Sequence, residues 1–404
     1  MSESINHLKN ILKQESVYVY LIVVVLTFQL LNFAFGSISL AVFSIVSLLN
    51  AAFNRPKKIR ALAPPVIYFV VIVISLILTE DNENISSKLI LALPFLIIPL
   101  SFSFVNVLTR RGVERVFNVF SNVLVLYTIL LAINALTRYK ASKDINVFFY
   151  HEFSSLFDIN AIYLSMVLLL SYIYLLTKTK SIWDLVKLVL IVVVIVLLSS
   201  KMIILLLGII SVFVVLQRIR SLKIKILFLS VFSLFCVVLL SVTKIKERVN
   251  DEMQSNFAEV LTTEKFNHVY FWTGSSIRLF QGRVFWELLQ QDKKWVLGYG
   301  FNSSQEHIKT KHKKYNIYPG FQEYNFHNQY VQTIAELGLM GLFSLSLVFY
   351  FIMKNALETK STWAFLMVLV FASVFLTESY LVRQRGIIYF LFYYCLIIKH
   401  AHQK

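Results

Sequence analysis

The sequence predicts an all-helical, polytopic integral membrane bundle of about twelve transmembrane helices with one large outward loop. Three observations point there. Hydrophobic residues make up 57% of the 404-residue chain, against roughly 45–50% in soluble proteins, and the mean hydropathy is +0.70. The apolar residues run in long blocks rather than amphipathic stripes, which excludes disorder, fibrous repeats and a disulfide scaffold. The 39 Lys+Arg outnumber the 22 Asp+Glu, for a net charge of +17, and fall between alternate blocks as orienting cytoplasmic loops do, so nucleic acid is not an expected partner. Cys236 and Cys395 each lie inside an apolar run and read as small buried hydrophobes.

A span needs about 20 predominantly apolar residues. Candidates lie near 18–35, 37–53, 64–79, 88–105, 116–136, 159–176, 183–199, 202–217, 225–243, 331–353, 362–378 and 386–398. They divide the chain into 1–243 (about nine helices), a polar segment 244–328, and 329–404 (about three helices). If residues 1–16, with Lys9 and Lys13, are cytoplasmic, every even-numbered connection faces inward and should carry Lys/Arg. Arg55, Lys57, Lys58 and Arg60 follow the second span, Arg110, Arg111 and Arg115 the fourth, Lys178 and Lys180 the sixth. Arg218, Arg220, Lys223 and Lys225 follow the eighth, Lys354 and Lys360 the tenth, and Lys399 and Lys404 end the chain. The turn after the third span instead reads Glu80-Asp81-Asn82-Glu83-Asn84. Both termini are therefore expected in the cytoplasm, and the first apolar run, which lacks a small-residue cleavage site, reads as a retained anchor.

Two outward loops are long enough to hold structure, 137–158 and 244–328. The second holds His268, His307, His312, His327, Trp272, Trp286 and Trp295, an aromatic content that argues for order. Phe280, Val284, Phe285, Leu288 and Leu289 recur at helical spacing, predicting an amphipathic helix over 279–290 that lies on the membrane surface or packs across the bundle.

Outward cations are the informative ones, because orientation does not need them. Lys201 follows Ser199-Ser200 between two nearly contiguous spans, Arg278 and Arg283 flank the start of the proposed helix, and Arg383 and Arg385 precede the last span. The plain reading has each snorkel to lipid headgroups. The sharper one has several converge on an anionic substrate, since guanidinium matches phosphate bidentately. His327 stands where the large loop meets the next span, and imidazole, with an ordinary pKa of about 6.5, accepts a proton at neutral pH.

From His327 the chain runs Asn328-Gln329-Tyr330-Val331-Gln332-Thr333-Ile334-Ala335-Glu336-Leu337-Gly338, a histidine followed after ten residues by glycine. This resembles the signature of the O-antigen ligase and O-antigen polymerase superfamily. The segment from Ser275-Ser276-Ile277-Arg278 to Gly298-Tyr299-Gly300 resembles the family's arginine helix and its G-x-G turn. Ser199-Ser200-Lys201 resembles its Ser-Arg step, and Thr377-Glu378-Ser379 with Arg383-Gln384-Arg385-Gly386 its late outer turn. Two departures stand out. The family's Arg-x3-Leu pattern is met by neither Arg278, followed by Gly282, nor Arg283, followed by Glu287, and Lys201 stands where many members have arginine.

The resemblance implies a C-type glycosyltransferase-like architecture in the bacterial inner membrane. It implies metal-independent transfer, without cofactor, of a glycan from undecaprenyl diphosphate to a hydroxyl at the periplasmic face. The acceptor is lipid A-core in a ligase and the growing glycan in a polymerase. Such a reaction needs a base and cations for the leaving diphosphate. His327 is the candidate base, and Arg278, Arg283, Lys201, Arg383 and Arg385 are candidate diphosphate ligands. Glu336 either pairs with one of these cations or fixes its helix, and Gly338 and Gly341 let helices approach closely. Two readings compete from other classes. A transporter of an anionic lipid would show matched broken-helix repeats, which are not evident, and a metal-dependent transferase would use the acidic run at 80–83.

Overall fold

The computed structural model describes residues 2–53, 59–78, 84–178, 181–227, 229–230, 233 and 243–402. Predicted features at 54–58, 79–83, 179–180 and most of the proposed span at 225–243, including Cys236, lie outside them. Among the described residues seven helices are long and apolar enough to cross a membrane.

Short α1 (Ser2–Leu12) leads into α2 (Glu15–Leu31) and α3 (Phe33–Phe53). The predicted boundary near residue 36 falls earlier because Asn32 is extended, with φ −154, and its side chain accepts from the Ala34 amide at 2.8 Å, a local bond that competes with the helix. After α4 (Ala63–Leu78), the predicted span at 88–105 is two pieces, α5 (Ile85–Ala92) and α6 (Pro94–Phe104), because proline suits the first helical position. α7 (Arg110–Ser142), capped by Thr109, is about 50 Å long and exceeds the roughly 30 Å hydrocarbon layer. Its end leads through short turns and α8 (Tyr150–Phe153) into α9 (Ala161–Lys178). α10 (Ile182–Leu197) and α11 (Lys201–Arg218) follow.

The C-terminal helices are α16 (Gln329–Glu358), α17 (Thr362–Val374) and α18 (Gln384–His402). Residues Arg385 through His400 of α18 are buried without interruption, as expected of a helix apolar on all sides, and α18 packs on α6, α7 and α16. Outward-facing Ile38, Val42, Ile45 and Leu49 give α3 an exposed apolar stripe, the surface a lipid-facing helix presents.

Between these groups residues 243–328 fold into a cap: α12 (Thr243–Met253), α13 (Phe257–Thr262), α14 (Gly274–Asp292) and α15 (Gln305–Lys314). The predicted amphipathic helix is α14, and its apolar face is the centre of this cap. Ile277, Phe280, Val284 and Leu288 meet Val260, Phe266, Ile308, Tyr315 and Ile317 in a core separate from that of the bundle.

The cap is seated through backbone. Gly338 interrupts α16 with φ 62, which releases carbonyls that the 295–300 turn recovers. Tyr299 and Gly300 donate to the Ala335 and Glu336 carbonyls at 2.8 and 2.9 Å, and Leu339 donates to the Trp295 carbonyl at 2.8 Å. A Cβ on Gly338 would stand 2.1 Å from the Val296 carbonyl oxygen, and one on Gly298 2.4 Å from the Glu336 carbonyl carbon. The expected role of Gly338 in helix packing is thus corrected: its positive φ breaks the helix so that a turn can dock on it. Lys88 adds a side-chain anchor, donating to Ser303 Oγ at 2.7 Å.

Candidate active site

His327 is fixed by the junction between cap and α16. Its φ of 48 is in the left-handed region, uncommon for a non-glycine residue, and its amide donates to Asn325 Oδ1 at 2.9 Å. Asn328 caps α16 by accepting from the Tyr330 and Val331 amides, while its own amide donates to Ser379 Oγ at 3.3 Å. The Gln329 amide donates to the Phe375 carbonyl at 2.7 Å, and its side-chain oxygen accepts from the Leu381 amide at 2.6 Å. The turn at 376–381, some fifty residues downstream, is therefore bolted to the histidine's own segment.

That turn delivers Glu378. Its Oε1 accepts from Arg278 Nη2 at 2.8 Å, and its Oε2 lies 3.5 Å from His327 Nδ1. The latter is charge-pairing distance without hydrogen-bond alignment, so both ring nitrogens are unsatisfied among the described residues. Arg278 is locked further, with Nε donating to the Thr377 carbonyl at 2.9 Å and Nη1 to the Gly274 carbonyl at 2.8 Å. Three of its five N–H groups are thus engaged, leaving two.

Lys201, at the start of α11, reaches Glu252 Oε1 at 2.5 Å. Glu252 also accepts from the Gly274 and Ser275 amides at 3.0 and 3.1 Å, occupying the N-terminus of α14. Burial pushes this carboxyl up, but the bonds from Lys201 and Ser275 outweigh it and hold it at about 2. Glu252 Oε1 and Arg278 Nη1 stand 2.8 and 3.2 Å from the position of a Cβ on Gly274, so Lys201, Glu252, Arg278 and Glu378 alternate in charge along a line that ends at His327.

The other candidates separate. Arg283 lies five residues from Arg278, about 140° around α14, and points into the cap. There it donates to the Val260 and Thr263 carbonyls, pairs with Glu287 at 3.1 Å and covers the Tyr315 ring. Of the two arginines, Arg278 is the one beside His327. Glu336 accepts from Gln332 at 2.6 Å and Ser304 at 3.3 Å and makes no ion pair with any candidate cation among the described residues. Arg383 and Arg385 line a cavity beyond the same turn.

Sequence reasoning placed Glu378 in the late outer turn without giving it a role, and missed Glu252. Glu378 had a signal, a carboxylate in an outward turn between apolar blocks. Glu252 had none, being one of several acids in a polar stretch.

No curated protein matches this chain. Residues 186–346, which include Lys201, Arg278, His327 and Gly338, match the O-antigen ligase family. Over that stretch the match agrees with the resemblance read from the sequence.

Proposed function

We propose that this protein is a metal-independent, inverting glycosyltransferase of the bacterial inner membrane. It moves a glycan from an undecaprenyl-diphosphate carrier to a sugar hydroxyl of lipid A-core at the periplasmic face, as an O-antigen ligase. The observation that carries the reading is the carboxylate of Glu378 set between Arg278 and His327.

A carboxylate beside Nδ1 favours the tautomer with its proton there, which leaves Nε2 as the acceptor. The acceptor hydroxyl gives its proton to Nε2 while its oxygen attacks the anomeric carbon on the face opposite the diphosphate. The bond from that carbon to the diphosphate oxygen breaks, its electron pair stays on the leaving group, and the single displacement inverts the anomeric centre. Arg278, with two N–H groups left, and Lys201, with two of its three, supply cationic donors where that charge develops. Gly338 and Glu336 support the site by holding cap to bundle, and membrane lipids surround the rest.

The positive loops support cytoplasmic termini with 244–328 in the periplasm. A Thr310→Cys variant should react with an impermeant thiol reagent in intact spheroplasts and an Arg220→Cys variant should not; the reverse pattern overturns the orientation.

Reconstituted protein given a synthetic undecaprenyl-diphosphate oligosaccharide and lipid A-core should yield glycosylated lipid A-core with inverted anomeric configuration. A longer carrier-linked glycan as sole product would make it a polymerase, and transfer that stops in EDTA would overturn metal independence.

A further inference from the structure

A cavity of about 410 Å³, within the roughly 300–1,000 Å³ usual for ligand sites, lies at the far end of the turn that carries Glu378. Its walls include Arg383, Arg385, Asp158, Asn160, Tyr163 and Glu152. Arg385 is only 7% exposed, yet its Nε has no hydrogen-bond partner and it makes no ion pair among the described residues. Among the described residues its one hydrogen bond runs from Nη1 to the Asp158 carbonyl at 3.3 Å, and its guanidinium rests on the Phe33 ring at 4.3 Å. A buried cation with an unused donor is costly unless something anionic completes it. Arg383 adds an exposed second guanidinium at the same cavity.

The cavity is not simply an anion hole, because two carboxylates also line it. Glu152 is neutralised by its pairing with Arg138. Among the described residues Asp158 makes no ion pair, although its charge acts on Arg385, and a bare phosphate would meet its repulsion. A ligand that joins an oxyanion to hydroxyls satisfies both sides, since guanidinium forks take the oxyanion while carboxylate and amide oxygens accept from hydroxyls. Placement agrees with this: Tyr163 lines the cavity, stacks on Tyr380 at 4.6 Å and donates to the Tyr380 carbonyl. Tyr380 is two residues from Glu378, and Glu378 and Arg383 are at most about 18 Å apart along the chain.

We propose that this cavity is the subsite for an anionic sugar unit of the substrate, a sugar bearing phosphate or carboxylate held by Arg383 and Arg385 with its hydroxyls toward Asp158 and Asn160. The proposal rests on the transferase reading, and it separates the two outer arginines from the His327 cluster as a second point of substrate contact.

The test is saturation-transfer NMR on the full chain in nanodiscs, with glucose 1-phosphate, inorganic phosphate and glucose as probes. Glucose 1-phosphate should bind about 10-fold more tightly than either of the others, and Arg383→Ala should weaken it about 10-fold, the usual effect of one charge-assisted contact. Arg385→Lys should do the same, and the exposed position of Arg383 keeps the test independent of whether that variant folds. His327→Gln should leave binding unchanged, so loss of transfer with intact binding separates failure of the transferase reading from failure of this one. In transfer assays Arg383→Ala should raise KM for one substrate. A rise for the carrier-linked donor assigns an anionic sugar of the donor glycan, and a rise for the acceptor assigns an anionic acceptor sugar. Inorganic phosphate binding as tightly as glucose 1-phosphate, or binding and both KM values untouched by Arg383→Ala, overturns the proposal.

Discussion

Glu378 stands between Arg278 and His327, its two oxygens 2.8 Å from Nη2 and 3.5 Å from Nδ1. Helix α14 brings the arginine, the cap junction brings the histidine, and the turn after α17 brings the carboxylate. A site built from three separate elements depends on the cap being seated, and this sets what each substitution should do.

Arg278→Ala removes a preorganised cation and leaves Glu378 without its partner. Transfer of a carrier-linked glycan should fall about 100-fold or more in kcat, the usual loss for one charge-stabilising donor. Arg283→Ala should behave differently. It strands the Val260 and Thr263 carbonyls and Glu287 inside the cap, costing about 1–3 kcal/mol of cap stability, while protein that remains folded keeps its kcat. Paired measurements of transfer and limited proteolysis check the contrast, and equal losses of kcat would place Arg283 in the site.

Gly338→Ala should unseat the 295–300 turn. A methyl there would meet the Val296 carbonyl at 2.1 Å, and the residue holds φ 62, a conformation that adds about 1–3 kcal/mol for a residue with a side chain. Gly341→Ala would set its methyl 2.2 Å from Leu337 Cβ, so it strains α16 itself but touches no part of the 295–300 turn and should leave the cap seated. Cleavage of the cap by added protease reads the difference.

The helical bundle was legible because long apolar blocks report helices able to cross a membrane. Lys201, Arg278 and His327 were legible as polar groups where topology does not need them. The break at Gly338 was not, because a glycine after apolar residues reads equally as a packing contact, and only the docked turn explains its positive φ. Arg283 and Arg278 looked equivalent for a similar reason: both flank the start of one helix, and their separation around it matters only once the cap core fixes which face is inside. Glu378 needed the hydrogen bonds from Gln329 and Asn328 that bring position 378 back to position 327.

The cap should lose stability in mild acid. Burial holds His312 well below its ordinary 6.5, at about 4, against the opposing bond to the Gln322 carbonyl and the charge of Glu323. A folded-state value below the unfolded one means that stability is fully present above about pH 6.5 and declines as pH falls toward 4. Replacing the residue, His312→Gln, should flatten that part of the curve, measured as cap unfolding between pH 7 and pH 4; an unchanged slope would assign the acid sensitivity elsewhere.

Glu252 acts lower. With its carboxyl held at about 2, its contribution is present above the ordinary carboxylate value of 4.5 and is lost as pH falls from there toward 2. A Glu252→Gln variant should lack this acid-dependent loss and should leave Lys201 unpaired, and unfolding profiles below pH 5 compare the two.

The central claim is that His327 accepts the proton of the acceptor hydroxyl. Its most direct test is transfer of a carrier-linked oligosaccharide by purified His327→Ala protein, beside wild type, with folding verified by protease resistance of the cap. Loss of a general base commonly lowers the rate about 100- to 10,000-fold, and that loss is expected with the cap intact and with wild-type activity persisting in EDTA. Transfer within a few fold of wild type by folded His327→Ala protein would contradict the account.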